Sequence, residues 1–302
     1  MRIRPILDTP VSSGGPRPAG GLAEIGAQLA EGGVAVLSGA GISTESGIPD
    51  YRGESGRHQR HTPMTYQDFT GDEANRRRYW ARGYIGRRAM ARARPNDGHR
   101  AVQALRAAGL VTGVITQNVD GLHQAAGTAD AVELHGSLDR VVCLDCRRIT
   151  PRDELDARLL AANGEFLAET EAEGLRVNPD GDVELPDELV DGFRLVPCLT
   201  CGGVLKPDVV FFGENVPKER VERCFALVGS ARSLLVLGSS LAVLSGLRFV
   251  RRAAADAKPV SIINLGPTRG DEYAHARVEL PLGEVLPLLA RRLGAPLPAE
   301  WA

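Results

Sequence analysis

Apolar and polar positions along the chain follow two periods that take turns. A helical period over Leu22–Glu31 leads into the short apolar run Val34–Ser38, which reads as a strand buried on both faces. The pairing recurs: helix-like Gly98–Ala107 precedes Val111–Thr116, Lys218–Leu227 precedes Leu234–Gly238, and Leu247–Ala255 precedes Val260–Leu265. Strands alternating with helices at this spacing predict an α/β fold, a Rossmann-like parallel sheet covered by helices. Two stretches break the alternation, Arg52 to about Arg94 and Val141 to about Lys206. The main domain is therefore expected to be discontinuous, at 21–53, 95–140 and 207–296. A helical excursion at 54–94 and a cysteine-bearing module at 141–206 would form a smaller lobe. Residues 1–20, with Pro5, Pro10, Pro16 and Pro18, read as a loose arm.

Composition narrows the class. With 302 residues and 43% hydrophobic content, the chain can bury one large core and a smaller one. A formal charge of −2 gives no bulk electrostatic case for nucleic acid or an anionic membrane as partner. No apolar stretch approaches the ~20 residues that span a bilayer. The first residues lack the apolar run of a secretory signal, and their prolines oppose the amphipathic helix of a transit peptide, so a cytoplasmic location is expected. Charge is nevertheless uneven. Arg76–Arg94 holds eight arginines and no acid, whereas Pro151–Asp191 holds thirteen acids against three arginines. A pair of solvated faces is the default reading of such runs.

Candidate chemistry clusters at the ends of the apolar runs. Gly39-Ala40-Gly41-Ile42-Ser43 follows the first strand, where glycines permit a tight turn and let backbone N–H groups approach a pyrophosphate. The third glycine of the usual fingerprint is missing, and a plain turn is the alternative. Gly47–Gly53 then brings Asp50, Tyr51 and Arg52 to where a nucleotide would lie. Thr116–His123 begins at the C-terminal end of the second strand. There Asn118 could bond a ribose or an ordered water, and Asp120 could accept from a carboxamide N–H; an Asx-turn without a ligand is the alternative. His135, in Glu133-Leu-His-Gly-Ser137, stands at the same sheet edge and has the ordinary pKa of about 6.5 that suits a general base. Gly238-Ser239-Ser240 and Asn264-Leu265-Gly266 end the later strands and suit close approach of an adenosine. Strand-ending turns are their alternative.

Cys143-x-x-Cys146 and Cys198-x-x-Cys201 form two knuckles separated by 51 residues. Four thiolates in this pattern predict one tetrahedral zinc with no open position, hence structural. Disulfides are disfavoured in a chain without a secretory signal. Cys224, inside a helical pattern, reads as a buried apolar residue.

Together these motifs, with Phe211-Phe-Gly-Glu214, resemble the sirtuin family in order from about Leu22 to Leu289, and Arg78–Arg82, Leu205–Glu214 and Gly266–Arg269 look most like its class II branch. The resemblance implies an NAD-dependent protein lysine deacylase. The acyl oxygen of a modified lysine attacks C1′ of the nicotinamide ribose, nicotinamide leaves, and His135 activates a ribose hydroxyl that captures the alkylimidate. It also implies residue roles. Ala40, Gly41, Asp50, Tyr51 and Arg52 would line the pyrophosphate side of NAD; Gln117, Asn118, Val119 and Asp120 the nicotinamide and ribose side; Gly238, Ser239, Asn264 and the backbone near Leu282 the adenosine end. Phe212, Gly213 and Glu214 would pair with an acyl-lysine protein as an added strand, with Leu244–Leu247 opposite. Tyr79 and Arg82, spaced i, i+3, would converge on the acyl group if Asn75–Arg87 is helical, favouring succinyl- or glutaryl-type acyl groups over acetyl. The rivals are protein ADP-ribosylation, a silent NAD-sensing module, and a zinc-ribbon nucleic-acid binder, the last disfavoured by the acidic segment between its knuckles.

Overall fold

The computed structural model describes residues 21–51, 63–164, 178, 181–186 and 190–297. Six parallel strands, β1 (Val34–Ser38), β2 (Val111–Thr116), β3 (Val132–Glu133), β7 (Ser233–Leu237), β8 (Val260–Ile263) and β9 (Ala276–Val278), form the main sheet in the order β3-β2-β1-β7-β8-β9. Three further strands, β4 (Gly136–Cys143), β5 (Ile149–Pro151) and β6 (Leu205–Val209), form an antiparallel sheet in the order β5-β4-β6. By rank the main-sheet strands run 3-2-1-4-5-6, the doubly wound order of a Rossmann domain, with its switch point between β1 and β7.

The continuous apolar runs are explained by burial on both faces. In β1, Val34 and Val36 enter one core with Ile25 and Leu29 of α1 (Leu22–Ala30), Leu105 of α4 (Asp97–Ala107) and Leu286 of α9 (Leu282–Arg292). Ala35 and Leu37 point the other way, into a core with Val228 of α7 (Lys218–Ser230) and Phe249 of α8 (Leu244–Ala255). Each fully buried leucine or valine contributes about 1.5–3 kcal/mol, so a one-residue slip of β1 would forfeit both cores.

The small lobe has its own core. α2 (Tyr66–Gly71) and α3 (Glu73–Met90) supply Phe69, Tyr79 and Trp80, which pack with Phe193, Phe211 and Leu155 of α6 (Arg152–Ala162). The indole of Trp80 donates to Leu205 O at 3.1 Å and so ties α3 to β6. The opposite-charge runs do not simply face solvent. Arg82 meets Glu184 at 2.8 Å, and Arg87 reaches Asp139, Asp153 and Asp156 at 2.8–2.9 Å. Arg152 is fully buried beneath Trp80, its guanidinium 4.8 Å from the ring and bonded to Asp156 at 2.6 Å. A charge this deep persists only with such partners. No helix among the described residues is long and apolar enough to cross a membrane.

β4 joins the two lobes: it starts beside β3 of the main sheet and ends at Cys143. At its start Gly136 has φ 85°, and a Cβ there would overlap the Asp208 carbonyl oxygen of β6. Gly136→Ala is therefore expected to lower unfolding free energy by about 2 kcal/mol or more, from left-handed strain plus overlap with fixed backbone. Urea unfolding checks this, and an unchanged midpoint would contradict the close approach.

Candidate active site

The C-terminal ends of β1 and β7 are brought together by glycines. Gly41 N–H donates to Gly238 O at 2.8 Å, and a Cβ on Gly41 would lie 2.9 Å from Gly238 Cα. Gly39 is equally confined, its missing Cβ 2.8 Å from that of Ser239. The segment after β1 is two 3-10 turns, Ala40–Ile42 and Thr44–Ser46, closed by Gly47 at φ 85°. A backbone cradle of this kind, at the switch point of a doubly wound sheet, fits a dinucleotide pyrophosphate.

A polar network crosses the mouth of the cradle. Asn118 Nδ2 donates to Gly39 O at 3.2 Å and to Ser43 Oγ at 3.0 Å, and Ser43 Oγ donates to Asp120 Oδ2 at 2.7 Å. Asp120 Oδ1 accepts from Leu122 N–H at 3.0 Å, so the Asx-turn is present and holds the carboxylate in place. Burial pushes the Asp120 pKa up, against its hydrogen bonds. Gln117 Nε2 donates to Ser239 Oγ at 2.8 Å, linking the ends of β2 and β7.

His135 lies just past β3. Its Nδ1 is 2.9 Å from Gln117 O and its Nε2 is 2.8 Å from Ser245 Oγ. A carbonyl only accepts, so Nδ1 carries the hydrogen and Nε2 the lone pair. Burial pushes the His135 pKa down to about 4; Gln117 O opposes the shift, and Arg248 and Arg220 add to it. The ring is thus neutral near pH 7, with an acceptor nitrogen available to a hydroxyl proton.

In the small lobe the Sγ atoms of Cys143, Cys146, Cys198 and Cys201 all lie within 4.8 Å of one another. Cys143–Cys201 and Cys146–Cys198 are 3.5 and 3.8 Å apart, close to the edge of about 3.8 Å expected of a tetrahedron with Zn–S near 2.3 Å. Both knuckles turn the same way, with Arg147 at φ 61° and Gly202 at φ 75° directly after the second cysteine of each pair. The donor set fits zinc.

The sequence pattern of the Sir2 family matches residues 39–245. This chain belongs to the Sir2 family. An NAD-dependent protein deacetylase 1 of Streptomyces coelicolor is 62% identical over 294 residues, 97% of each chain. An NAD-dependent protein deacetylase 1 of Mycobacterium avium is 51% identical over 278 residues, 92% of this chain and 97% of its own. A solved Sir2 complex with a p53 peptide and NAD+ superposes with a TM-score of 0.69 at 27% identity, covering 90% of this chain and 98% of that one.

Within this Sir2 fold the expected site residues do not all gather in one place. Gly39, Ala40, Gly41, Ser43, Asn118, Asp120, Gly238 and Ser239 gather at the switch point through the bonds above or through chain adjacency, and Gln117 links them to His135. Ile42 and Leu282 bury their side chains in the core, leaving their backbones for any role in the cleft. Val119 and Ser240 use their carbonyls inside the fold, accepting from Leu138 and Arg269. Asn264 closes its own turn by donating to Leu265 O and Gly266 O, both at 2.9 Å. Tyr51 packs edge-on to Phe212, ring centroids 6.2 Å apart, and Asp50 comes just before it; Arg52 lies outside the described residues. Phe212 O accepts from Tyr66 N–H, Gly213 O from Gln67, and Glu214 pairs with buried Lys206 at 3.1 Å. Tyr79 sits 5.1 Å from the Phe211 ring, one helical turn before Arg82.

Sequence reasoning placed Ser245 and Gly246 only within the Leu244–Leu247 substrate wall and missed their contacts with His135 and Gln117; it gave no role to the buried histidines His99 and His123 behind Ser43 and Ser38. A Ser-Gly pair at a helix start carries no distinctive signal. For the metal, about one zinc per chain is expected by elemental analysis. Stripping it with a strong chelator should unfold the small lobe, because thiolate ligation couples folding to metal binding. Absence of zinc, or an unchanged melting profile after chelation, would contradict this.

Proposed function

We propose that this Sir2-family chain is an NAD-dependent protein lysine deacylase in which His135 is the general base. The observation that carries the reading is the neutral His135, its Nε2 lone pair turned toward the first turn of α8 and its Nδ1–H anchored on Gln117 O beside the glycine cradle. Relatives named NAD-dependent protein deacetylases across nearly the whole chain support it, as does the likeness to a Sir2 complex with peptide and NAD+. When bound, NAD supplies an electrophilic ribose carbon and nicotinamide as its leaving group. The protein's part is positional. Gly39, Gly41 and Gly238 admit the pyrophosphate, the Asn118–Ser43–Asp120 chain fixes polar groups at the ribose, and His135 Nε2 takes a hydroxyl proton. Phe212–Glu214 and Leu244–Leu247 flank the cleft where an acyl-lysine peptide would add as a strand.

His135→Ala is expected to reduce deacylation at least a hundredfold, the usual range for a positioned base, while leaving the melting temperature near wild type. Peptide turnover followed by mass spectrometry checks it. Near wild-type rates would remove His135 from the chemistry, and ADP-ribosylated protein without O-acyl-ADP-ribose would favour the transferase reading.

A finer reading concerns the acyl group. Arg82 is mostly buried, stands one turn from Tyr79, and holds the largely exposed Glu184 carboxylate at 2.8 Å, so this guanidinium already accommodates a carboxylate beside the aromatic cluster. The Glu184 carboxylate is largely exposed and can return to water, so an acyl carboxylate can compete with it for the guanidinium. This supports a preference for glutaryl- or succinyl-type acyl-lysines. Arg82→Met should lower kcat/KM for a glutaryl peptide roughly tenfold to a hundredfold and spare the acetyl peptide, from loss of a charge-assisted bond of about 1.5–3 kcal/mol. Equal losses on both peptides would show that Arg82 does not read the acyl group.

A further inference from the structure

The His135 ring is held at both nitrogens, by two different elements. Gln117, at the end of β2, takes the Nδ1 hydrogen at 2.9 Å. Ser245, in the first turn of α8, stands 2.8 Å from Nε2. Because Nδ1 carries the ring's hydrogen, the bond at Nε2 is one that Ser245 donates and the imidazole accepts.

Two features of the start of α8 accompany this contact. A serine at a helix start commonly bonds its own first turn. Here the N-cap is Val243, with no side-chain cap, and the Ser245 hydroxyl is aimed across the cleft. The next residue is Gly246, and a Cβ there would lie 2.6 Å from Gln117 Oε1. The first turn of α8 therefore bonds the base through Ser245 and packs closely on the Gln117 side chain through Gly246. The charged side chains whose fields act on the ring are Arg248, one turn further along α8, and Arg220 of α7. Both are cations and cannot accept a hydrogen bond from Nε2 once it is protonated, so the Ser245 oxygen is the acceptor within reach.

We propose that Ser245 passes the proton to the base: its hydroxyl lies on the one lone pair of His135 Nε2, gives its hydrogen to that nitrogen, takes the ribose hydroxyl hydrogen in exchange, and then accepts from Nε2–H. The inference rests on His135 being the base. In the step itself a ribose O–H bond breaks as a Ser245 O–H bond forms, the former Ser245 O–H bond breaks as an Nε2–H bond forms, and the positive charge resides on the imidazolium. Ser245 ends the step with its hydroxyl intact. A ring held only at Nδ1 would be able to rotate about that bond, and misplacement of a base by a fraction of an ångström is enough to lower the rate.

The experiment compares Ser245→Ala, Ser245→Thr and His135→Ala with wild type. Ser245→Ala is expected to lower kcat for deacylation about tenfold, with KM for NAD and peptide within about twofold, and Ser245→Thr to stay within about threefold of wild type. In the protein alone, without NAD or peptide, the 15N resonance of His135 Nε2 should move in Ser245→Ala and return toward wild type in Ser245→Thr. Wild-type kcat in Ser245→Ala, an unmoved Nε2 resonance, or a loss accompanied by a lowered melting temperature with the resonance unmoved would each overturn the inference. In those cases an inactive His135→Ala leaves the base reading standing. A His135→Ala that turns over peptide normally would overturn both.

Discussion

The cleft depends on one close approach, that of the Gly41 and Gly238 backbones where β1 and β7 end. Their hydrogen bond of 2.8 Å is possible because neither residue has a Cβ; one on Gly238 would lie 2.6 Å from Ile42 N. Any side chain at either place would push the two strand ends apart, and with them Ser43, Asn118 and Asp120 on one side and Ser239 on the other. Gly238, at φ 59°, also turns the chain out of β7 into Ser239, which accepts from Gln117 and from Leu241 N–H. Floor and walls of the crevice are thus a single consequence of strand order plus two absent methyl groups. The sheet order creates the crevice, and the glycines keep side chains out of the place where the two strand ends meet.

Legibility from sequence followed the same physics. β1, β2, β7 and β8 coincide within a residue or two with apolar runs, because a strand covered on both faces is apolar at most positions, with polar residues such as Ser233 and Thr116 near its ends. β3 and β9, two and three residues long, are too short to carry a period, and β4 alternates burial with an exposed Asp139 and half-buried Arg140, which blurs its signal. The cysteine pairs and the glycine turn were legible because their chemistry fixes residue type and spacing locally. The Ser245–His135 bond was not, since it joins residues 110 apart in the chain and neither spacing nor type marks it. Arg152 is a similar case. A charged residue at a helix start reads as solvated, and only Trp80 above it and Asp156 beside it make its burial tolerable. The same holds for the basic run of α3. Its arginines meet carboxylates from β4, α6 and the segment around Glu184, a pairing that only the tertiary fold reveals.

That pairing bears on the chemistry because the small lobe is too small to be fixed by apolar burial alone. A three-stranded sheet and a few helices enclose its aromatic core, and the remaining order comes from four convergent thiols and from arginines shared between elements. β4 transmits this order to the cleft. One end of the strand carries Cys143, and the other begins directly after His135. Along its length Arg140 bonds Glu133 of β3 at 2.8 Å and Asp208 of β6 at 3.0 Å, while Arg220 of α7 also holds Asp208. These mostly buried pairs add little net stability over apolar packing, but removing one partner would leave a charge uncompensated, so they specify register strongly. The start of β4 therefore cannot shift without disturbing a metal knuckle, a charge network and a glycine-only backbone contact at once. His135, one residue upstream, is held by that network on one side and by the first turn of α8 on the other, so the four-cysteine cluster and the His135 ring are tied to the two ends of one strand.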